Sequence, residues 1–393
     1  MLEKAIIRDE SPETIASVLP LLRHIAKATV GTDRELIDSA VLANALRKAG
    51  RWQEAEEILS ALIPACIEKK DFYQASTDAG HLFNILMKTG RYNEALKLAE
   101  EKKTYAQKAG LGPWTQLGNE SMRLQALISL GKYDEVLKAV DGLRVQMKNL
   151  PEKGDQEEAV VAWNIKETIL DRGCEAAMRS KKHELALKYN AEQIEVKKLR
   201  GATDLDLAMK CFNDYRPLLN LERYREAEKL LNACREVFEQ ERSIQMLGMV
   251  FTALADLADE QGRGDRAVDF EETALRYGYI FGDPESIAIS HYNLANYLGR
   301  AGSEAGLNHR LAAVVIRFQT SSGRLASSLS RLSWDLDKFG SQALPGSFAE
   351  LCDSLEKVDG VRFRELWDRL PKRAEDGDVL LKELIGAARG AKQ

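Results

Sequence analysis

Seven polar residues recur through this 393-residue chain at nearly constant spacing. Asn44, Asn84, Gln125, Glu175, Arg216, Asp256 and Asn296 follow one another at 40, 41, 50, 41, 40 and 40 residues. A carboxamide carries both a donor and an acceptor, so a row of them suits the repeating N–H and C=O groups of an extended peptide. Asn is a poor helix former, and its return at one register inside helical sequence asks for a reason. Four residues later stand Lys48, Lys88, Ser129, Arg179, Asn220, Glu260 and Arg300, and three residues earlier Val41, His81, Met122, Arg172, Asn213, Ala253 and Asn293. The basic members of these rows would add recognition of carboxylates. The candidate peptide groove is therefore Asn44, Lys48, Asn84, Lys88, Gln125, Arg172, Glu175, Arg179, Asn213, Arg216, Asp256, Asn293 and Asn296. The bland alternative is a solvated face of amphipathic helices.

Other chemistries find little support. Gly131-Lys132 is followed by Tyr133, not Ser or Thr, so it is no phosphate-binding loop, and HExxH, GxSxG and GxGxxG are absent. His24, His81, His183, His291 and His309 lie far apart, and none pairs with Cys or Asp at ligand spacing. Cys66, Cys174, Cys211, Cys234 and Cys352 are scattered singly, which suggests neither a zinc site nor a disulfide framework. No catalytic residue, metal or cofactor is expected. A net charge of -5 argues against nonspecific nucleic-acid binding, and the apolar runs are too short to span a bilayer. With MLEKAIIRDESPE lacking a signal-peptide core, the expected setting is the cytoplasm.

The elements that would position the polar rows follow from the same period. Each asparagine-register residue stands six before a turn residue: Gly50, Gly90, Gly131, Lys181, Glu222, Gly262 or Gly302. Gly at such a place takes positive φ and ends a helix. Two residues on comes an aromatic or His (Trp52, Tyr92, Tyr133, His183, Tyr224), with Gly264 and Glu304 departing. Five residues on comes Ala55, Ala95, Val136, Ala186, Ala227, Ala267 or Leu307, mostly small enough for two antiparallel helices to approach closely. Four before the turn the residues are Leu46, Leu86, Leu127, Ala177, Leu218, Ala258 and Leu298, a core position. Two positions from a core residue point about 200° round a helix, which turns the polar rows outward.

The pattern predicts A helices near 33–49, 72–89, 114–130, 158–180, 204–221, 243–261 and 285–301, and B helices near 52–69, 92–109, 132–148, 183–200, 223–241, 265–281 and 304–320. The 50-residue spacing holds an inserted loop, NLPEKGDQEE from Asn149 to Glu158. Ser11 and Pro12 open a preceding helix. Arg324 to Phe339 supplies a further A helix, and the Ser-rich stretch Thr320 to Trp334 reads as a flexible joint. Trp114 and Trp163 read as packing anchors. Three short helices follow, the first capped by Ser347, and with Phe348, Phe363, Leu366 and Trp367 they either cover the array's end or dock a partner.

The turn–aromatic–x–x–Ala pattern, in seven registered copies over about residues 32–320, resembles the tetratricopeptide repeat, in which G-x-Y-x-x-A marks the junction of helices A and B. The period exceeds the usual 34 residues, as in the sensor domain of the maltose-operon activator and in bacterial signalling ATPases. The resemblance implies an all-α solenoid, a right-handed superhelix of seven to eight hairpins, with A helices lining a concave face. It implies three divisions: capping helices over 1–31, the array over 32–340 and a C-terminal cap or docking segment over 341–393. It implies a non-catalytic protein- or peptide-binding scaffold or adaptor, with no nucleic-acid or membrane partner. Two rivals are a regulatory sensor subunit within a larger signalling or defence complex, controlling an effector ATPase or caspase-like protease, and an enzyme built in the groove around Glu175, Arg172 and Arg179. If the small residue sets the helix approach, Ala95→Leu overpacks the junction and costs on the order of 1–3 kcal/mol in urea denaturation; an unchanged midpoint would refute the junction.

Overall fold

The computed structural model describes residues 11–153 and 156–390, so readings placed on MLEKAIIRDE and on Gly154-Asp155 of the inserted loop lie outside the described residues. It falls into two compact units, 1–201 and 202–393, each taken by itself below. Helices account for the regular structure, and no strand occurs among the described residues.

In the first unit α1 (Pro12–Ala28) precedes four hairpins: α2 (Glu35–Lys48) with α3 (Trp52–Glu68), α4 (Phe72–Lys88) with α5 (Tyr92–Lys108), α6 (Pro113–Ser129) with α7 (Tyr133–Asn149), and α8 (Ala162–Arg179) with α9 (His183–Leu199). Ser11 Oγ caps α1 by accepting from the N–H of Thr14 at 3.1 Å. The second unit holds α10 (Asp204–Phe212), α11 (Tyr215–Asn220), α12 (Tyr224–Gln240), α13 (Ile244–Glu260), α14 (Gly264–Phe281), α15 (Pro284–Arg300), α16 (Ala305–Gln319), α17 (Leu325–Phe339), α18 (Phe348–Leu355), α19 (Phe363–Arg369) and α20 (Gly377–Gly390). A 3-10 turn spans Ser341–Ala343.

Every A-to-B turn closes in one way. The turn residue takes positive φ, and the N–H after it reaches back to the carbonyl four before the turn. Arg51 donates to Leu46 at 2.8 Å, Arg91 to Leu86 at 2.9 Å and Lys182 to Ala177 at 2.8 Å. This closure satisfies carbonyls the helix end would otherwise leave open. Lys181 and Glu222 keep it without glycine, at φ 59° and 57°. The residues five after the turn are fully buried in all seven hairpins. Of the core row, Leu298 alone is half-buried.

Three expectations need correcting. The A helix anticipated over 204–221 is two helices, parted at Asn213-Asp214. Pro217 has no N–H and its ring collides with the carbonyl four residues earlier, so the ladder cannot cross Asn213. The Ser-rich joint is instead the start of α17: Ser328 is buried, donates to the Arg324 carbonyl at 3.0 Å and accepts from Arg317 Nη1 at 2.5 Å. Trp114 is buried as expected, but Trp163 is 41% exposed and carries the Arg200 guanidinium 4.6 Å above its ring.

The inserted loop is bound to α6. Glu158 accepts from the N–H groups of Trp114 at 2.9 Å and Thr115 at 2.7 Å, placing a carboxylate on the helix N-terminus. A side chain at Gly112 would overlap that carboxylate. At the far end of the second unit, α18, α19 and α20 bury Phe363, Leu366, Leu380 and Leu384 in one core with α16 and α17. Phe348 packs between Phe363 and Trp367, at ring separations of 6.0 and 4.7 Å.

That core contains two histidines that lie 18 residues apart along the chain. His291 Nδ1 and His309 Nδ1 are 2.8 Å from one another, and the Tyr279 hydroxyl lies 3.1 Å from His291 Nε2. Burial pushes both rings below the ordinary imidazole range, His309 to about 4. They fold neutral, so their contribution is complete above about pH 6.5 and is lost as pH falls toward 4. Glu271, raised to about 8 by burial, and Asp78, raised to about 6, work the opposite way, but the three lowered imidazoles of His81, His291 and His309 outweigh them between pH 7 and 5. Urea stability is therefore expected to fall from pH 7 to pH 5, with both ring signals still neutral in NMR at pH 5; ring protonation near pH 6.5 would refute it. A second test addresses strain: Glu222→Gly relieves a left-handed side chain and is expected to stabilise by about 1 kcal/mol, whereas a destabilised variant would show that Glu222 is unstrained.

Candidate functional site

The A helices of the first unit bring five of the sequence-derived residues around two adjoining clefts. One, of about 360 Å³, is walled by Asn44, Arg47, Lys48, Gln74, Asp78 and His81 from α2 and α4. The other, of about 680 Å³, is walled by Lys48, Asn84, Lys88 and Gln125, with Trp52 and Tyr92 from the turns. Arg47 and Lys48 border both. Asn84 and Lys88 are exposed, while Asn44, Lys48 and Gln125 are half-buried.

Several polar atoms in this wall lack a partner. Asn44 Oδ1 accepts from Arg47 Nη2 at 2.8 Å, but Arg47 Nε is buried without one. Asp78 is fully buried; its Oδ1 accepts from Gln74 at 3.0 Å and its Oδ2 from nothing. Burial pushes the Asp78 carboxyl up to about 6. His81 Nδ1 is likewise unpaired, and burial, helped by the charges of Arg47, Lys102 and Lys48, pushes its imidazole down to about 4. Behind them Lys102 donates to Asn119 at 2.6 Å and Ser76 at 3.2 Å, and burial lowers it to about 8. Buried polar atoms without partners are costly, and this wall keeps three of them.

Asp78, Arg47 and Gln74 are absent from the sequence-derived set, and His81 stands only in its mixed row. A signal exists twelve before the turn: Asp38, Asp78, Asn119, Lys210 and Ser290 occupy that position, with Ile169 and Val250. All five polar members are buried. On a helix that row stands about 120° from the polar register and about 80° from the core row, which places it on a buried flank.

The remaining residues are placed differently. On α8, Glu175 pairs with Arg179 at 3.2 Å and Arg172 at 3.7 Å, a charge trio within one helix that gathers no His or Asp. In the second unit Arg216 donates to Asp256 at 2.8 Å, and Tyr297 donates to the other Asp256 oxygen at 2.9 Å. Asn213 is exposed at the α10 terminus. Asn293 lies beside Glu271. Asn296, read from sequence as outward-facing, gives its oxygen to the buried Arg310 at 2.7 Å, whose Nε reaches Asp335 at 2.6 Å. That carboxamide belongs to a core network.

The first-unit site can hydrogen-bond and neutralise charge. Among the described residues no hydrogen bond links His81 to a hydroxyl, thiol or carboxylate, and no group of three His, Cys, Asp or Glu side chains could hold a metal ion. No described helix is long and apolar enough to cross a membrane.

No protein-family description matches the sequence, and no curated protein is significantly similar. Solved structures do match. The apo form of RapI superposes with a TM-score of 0.50 at 14% identity, covering 79% of this chain and 85% of its own. A signal-transduction ATPase with numerous domains and a tetratricopeptide-repeat sensor, from Pyrococcus horikoshii, superposes at 0.51 and 12% identity over 93% of this chain. This chain spans 55% of that protein's length. With seven registered hairpins and these likenesses, the chain is by fold a helical solenoid of tetratricopeptide type.

Proposed function

We propose that the chain is a non-catalytic adaptor that captures an extended peptide of a protein partner, and that the paired clefts of α2, α4 and α6 form its principal contact. The observation that carries this reading is the juxtaposition of Asn44, Asn84 and Gln125 with a basic border and buried polar atoms lacking partners. The carboxamides would pair with peptide N–H and C=O groups. Arg47, Lys48 and Lys88 would receive an acidic side chain or terminal carboxylate. In this reading residues 32–340 form the binding array, 341–393 close its end, and the protein works in the cytoplasm without nucleic-acid or membrane partners. Asn213, Arg216, Asp256, Asn293 and Asn296 belong to the second unit and are not assigned to this contact.

A second reading makes the array a sensor that restrains an effector ATPase or caspase-like protease. Its support is the likeness to a tetratricopeptide sensor across 93% of this chain. Co-purification of an effector whose activity rises on adding the trigger favours it over a passive adaptor.

The groove itself is tested with a peptide selected from a random display library against the full chain. Three lost hydrogen bonds at about 1 kcal/mol each predict a Kd weaker by roughly a hundredfold for Asn44→Ala/Asn84→Ala/Gln125→Ala, with an unchanged melting temperature. Calorimetric titration showing equal affinity would overturn the assignment of these clefts.

A further inference from the structure

The second unit holds a separate pocket that the polar rows do not describe. It lies between α10, α11, α13, α14 and α15, with a volume of about 210 Å³. Drug-sized ligands fill roughly 300–1,000 Å³, so this space suits a single ring system. Its walls combine Phe212, Tyr215, Tyr277 and Phe281 with aliphatic and small side chains: Phe212 and Tyr215 stand 5.0 Å apart at ring centroids, and Tyr277 stacks on Phe251 at 5.7 Å. Gly248 lines it from α13, where even a Cβ would come only to 3.5 Å from Tyr277. Met249 and Phe281, 46% and 47% exposed, stand at its rim.

The polar side of the pocket has a defined polarity. Of its hydroxyls, Ser286 donates to Asp283 at 2.6 Å, while Thr252 and Ser290 adjoin Glu271, which is fully buried on α14. Thr252 Oγ1 donates to Glu271 Oε1 at 3.1 Å, which uses its only proton. What Thr252 has left to offer an occupant is lone pairs. Glu271 Oε2 has no partner at hydrogen-bond distance, and the Ser290 and Asn293 side chains are the polar groups that adjoin its carboxyl.

We propose that this pocket binds one aromatic group bearing a hydrogen-bond donor, an indole N–H or a phenol O–H, with its ring between Phe212 and Tyr277 and its donor directed to Thr252 and Ser290. Aromatic walls favour a ring through offset and edge contacts, and a buried indole or phenol finds a partner for its donor. An aliphatic group would leave the hydroxyl lone pairs unmet. The same chemistry comes from two sources, a free small molecule or a Trp or Tyr side chain of a peptide.

The test uses the full chain with indole and 1-methylindole, which differ in the N–H, read by saturation-transfer NMR and calorimetric titration. Indole is expected to bind saturably and about tenfold more tightly than its methylated form. Gly248→Leu should abolish binding by filling the space. Thr252→Val, which keeps the shape, should bring the two ligands to near parity with the melting temperature within a few degrees of wild type, so the proposal stays testable even if Gly248→Leu misfolds. An N-acetyl-Gly-Trp-Gly amide that displaces indole with higher affinity assigns the pocket to a peptide side chain; indole retained against that peptide assigns it to a free small molecule. No saturable binding of indole or p-cresol to the wild-type chain would overturn the proposal, as would equal indole and 1-methylindole affinities in wild type and Thr252→Val alike. Neither result bears on the clefts of α2, α4 and α6, where no residue of this pocket lies.

Discussion

The left-handed residue at the end of each A helix is the constraint on which the other regularities rest. Once Gly50 or its equivalent takes positive φ, the following N–H closes onto the carbonyl four before the turn. That fixes the rotation at which helix B leaves and brings the residue five later against helix A. Ala95 or Ala186 can then lie fully buried where a longer side chain would force the pair apart. The rotation also decides which side of helix A is left for contact. The carboxamides of the candidate groove, less than two helical turns upstream, are thus positioned by turn geometry.

The closure survives loss of glycine, which shows how strongly the packing determines it. Lys181 and Glu222 accept the left-handed conformation, as do Lys70, Arg242 and Ser321 at turns between hairpins. Such residues carry a local conformational cost that surrounding contacts offset.

Local rules make much of this fold legible in the amino-acid sequence. The period, the turn residues and the junction alanine depend on neighbours within one hairpin, and these place the helices nearly to their ends. Features that depend on residues from other hairpins are hidden from such rules. His291 and His309 meet because α15 and α16 set them opposite one another, a pairing that a ligand-spacing rule along one helix cannot reveal. Glu158 reaches the α6 N-terminus from 43 residues away. Asp78 lies about 120° round its helix from Asn84, and whether such a flanking residue is wet or buried depends on the helices packed beside it. Pro217 is readable from its own chemistry, yet the strong repeat pattern around it points to an unbroken helix. Asn296 matches Asn44 and Asn84 in register, and only the arrival of Arg310 from the next helix distinguishes it.

The ion pairs between hairpins give this array an order. Arg216 reaches Asp256 one period on, at 40 residues, and Lys182 reaches Asp134 across the long spacing of 48. Arg324 similarly meets Glu285 of the preceding A helix at 3.4 Å. Hairpins sharing one backbone geometry could in principle be exchanged like identical beads. These partners forbid most such exchanges, because at the position of Asp256 the other hairpins carry Asn44, Asn84, Gln125, Arg216 or Asn296, and Glu175 alone would keep the charge. The sequence of the repeats is therefore written in charge as well as in the covalent chain, and duplication or loss of a single hairpin would leave a mismatched seam on each side.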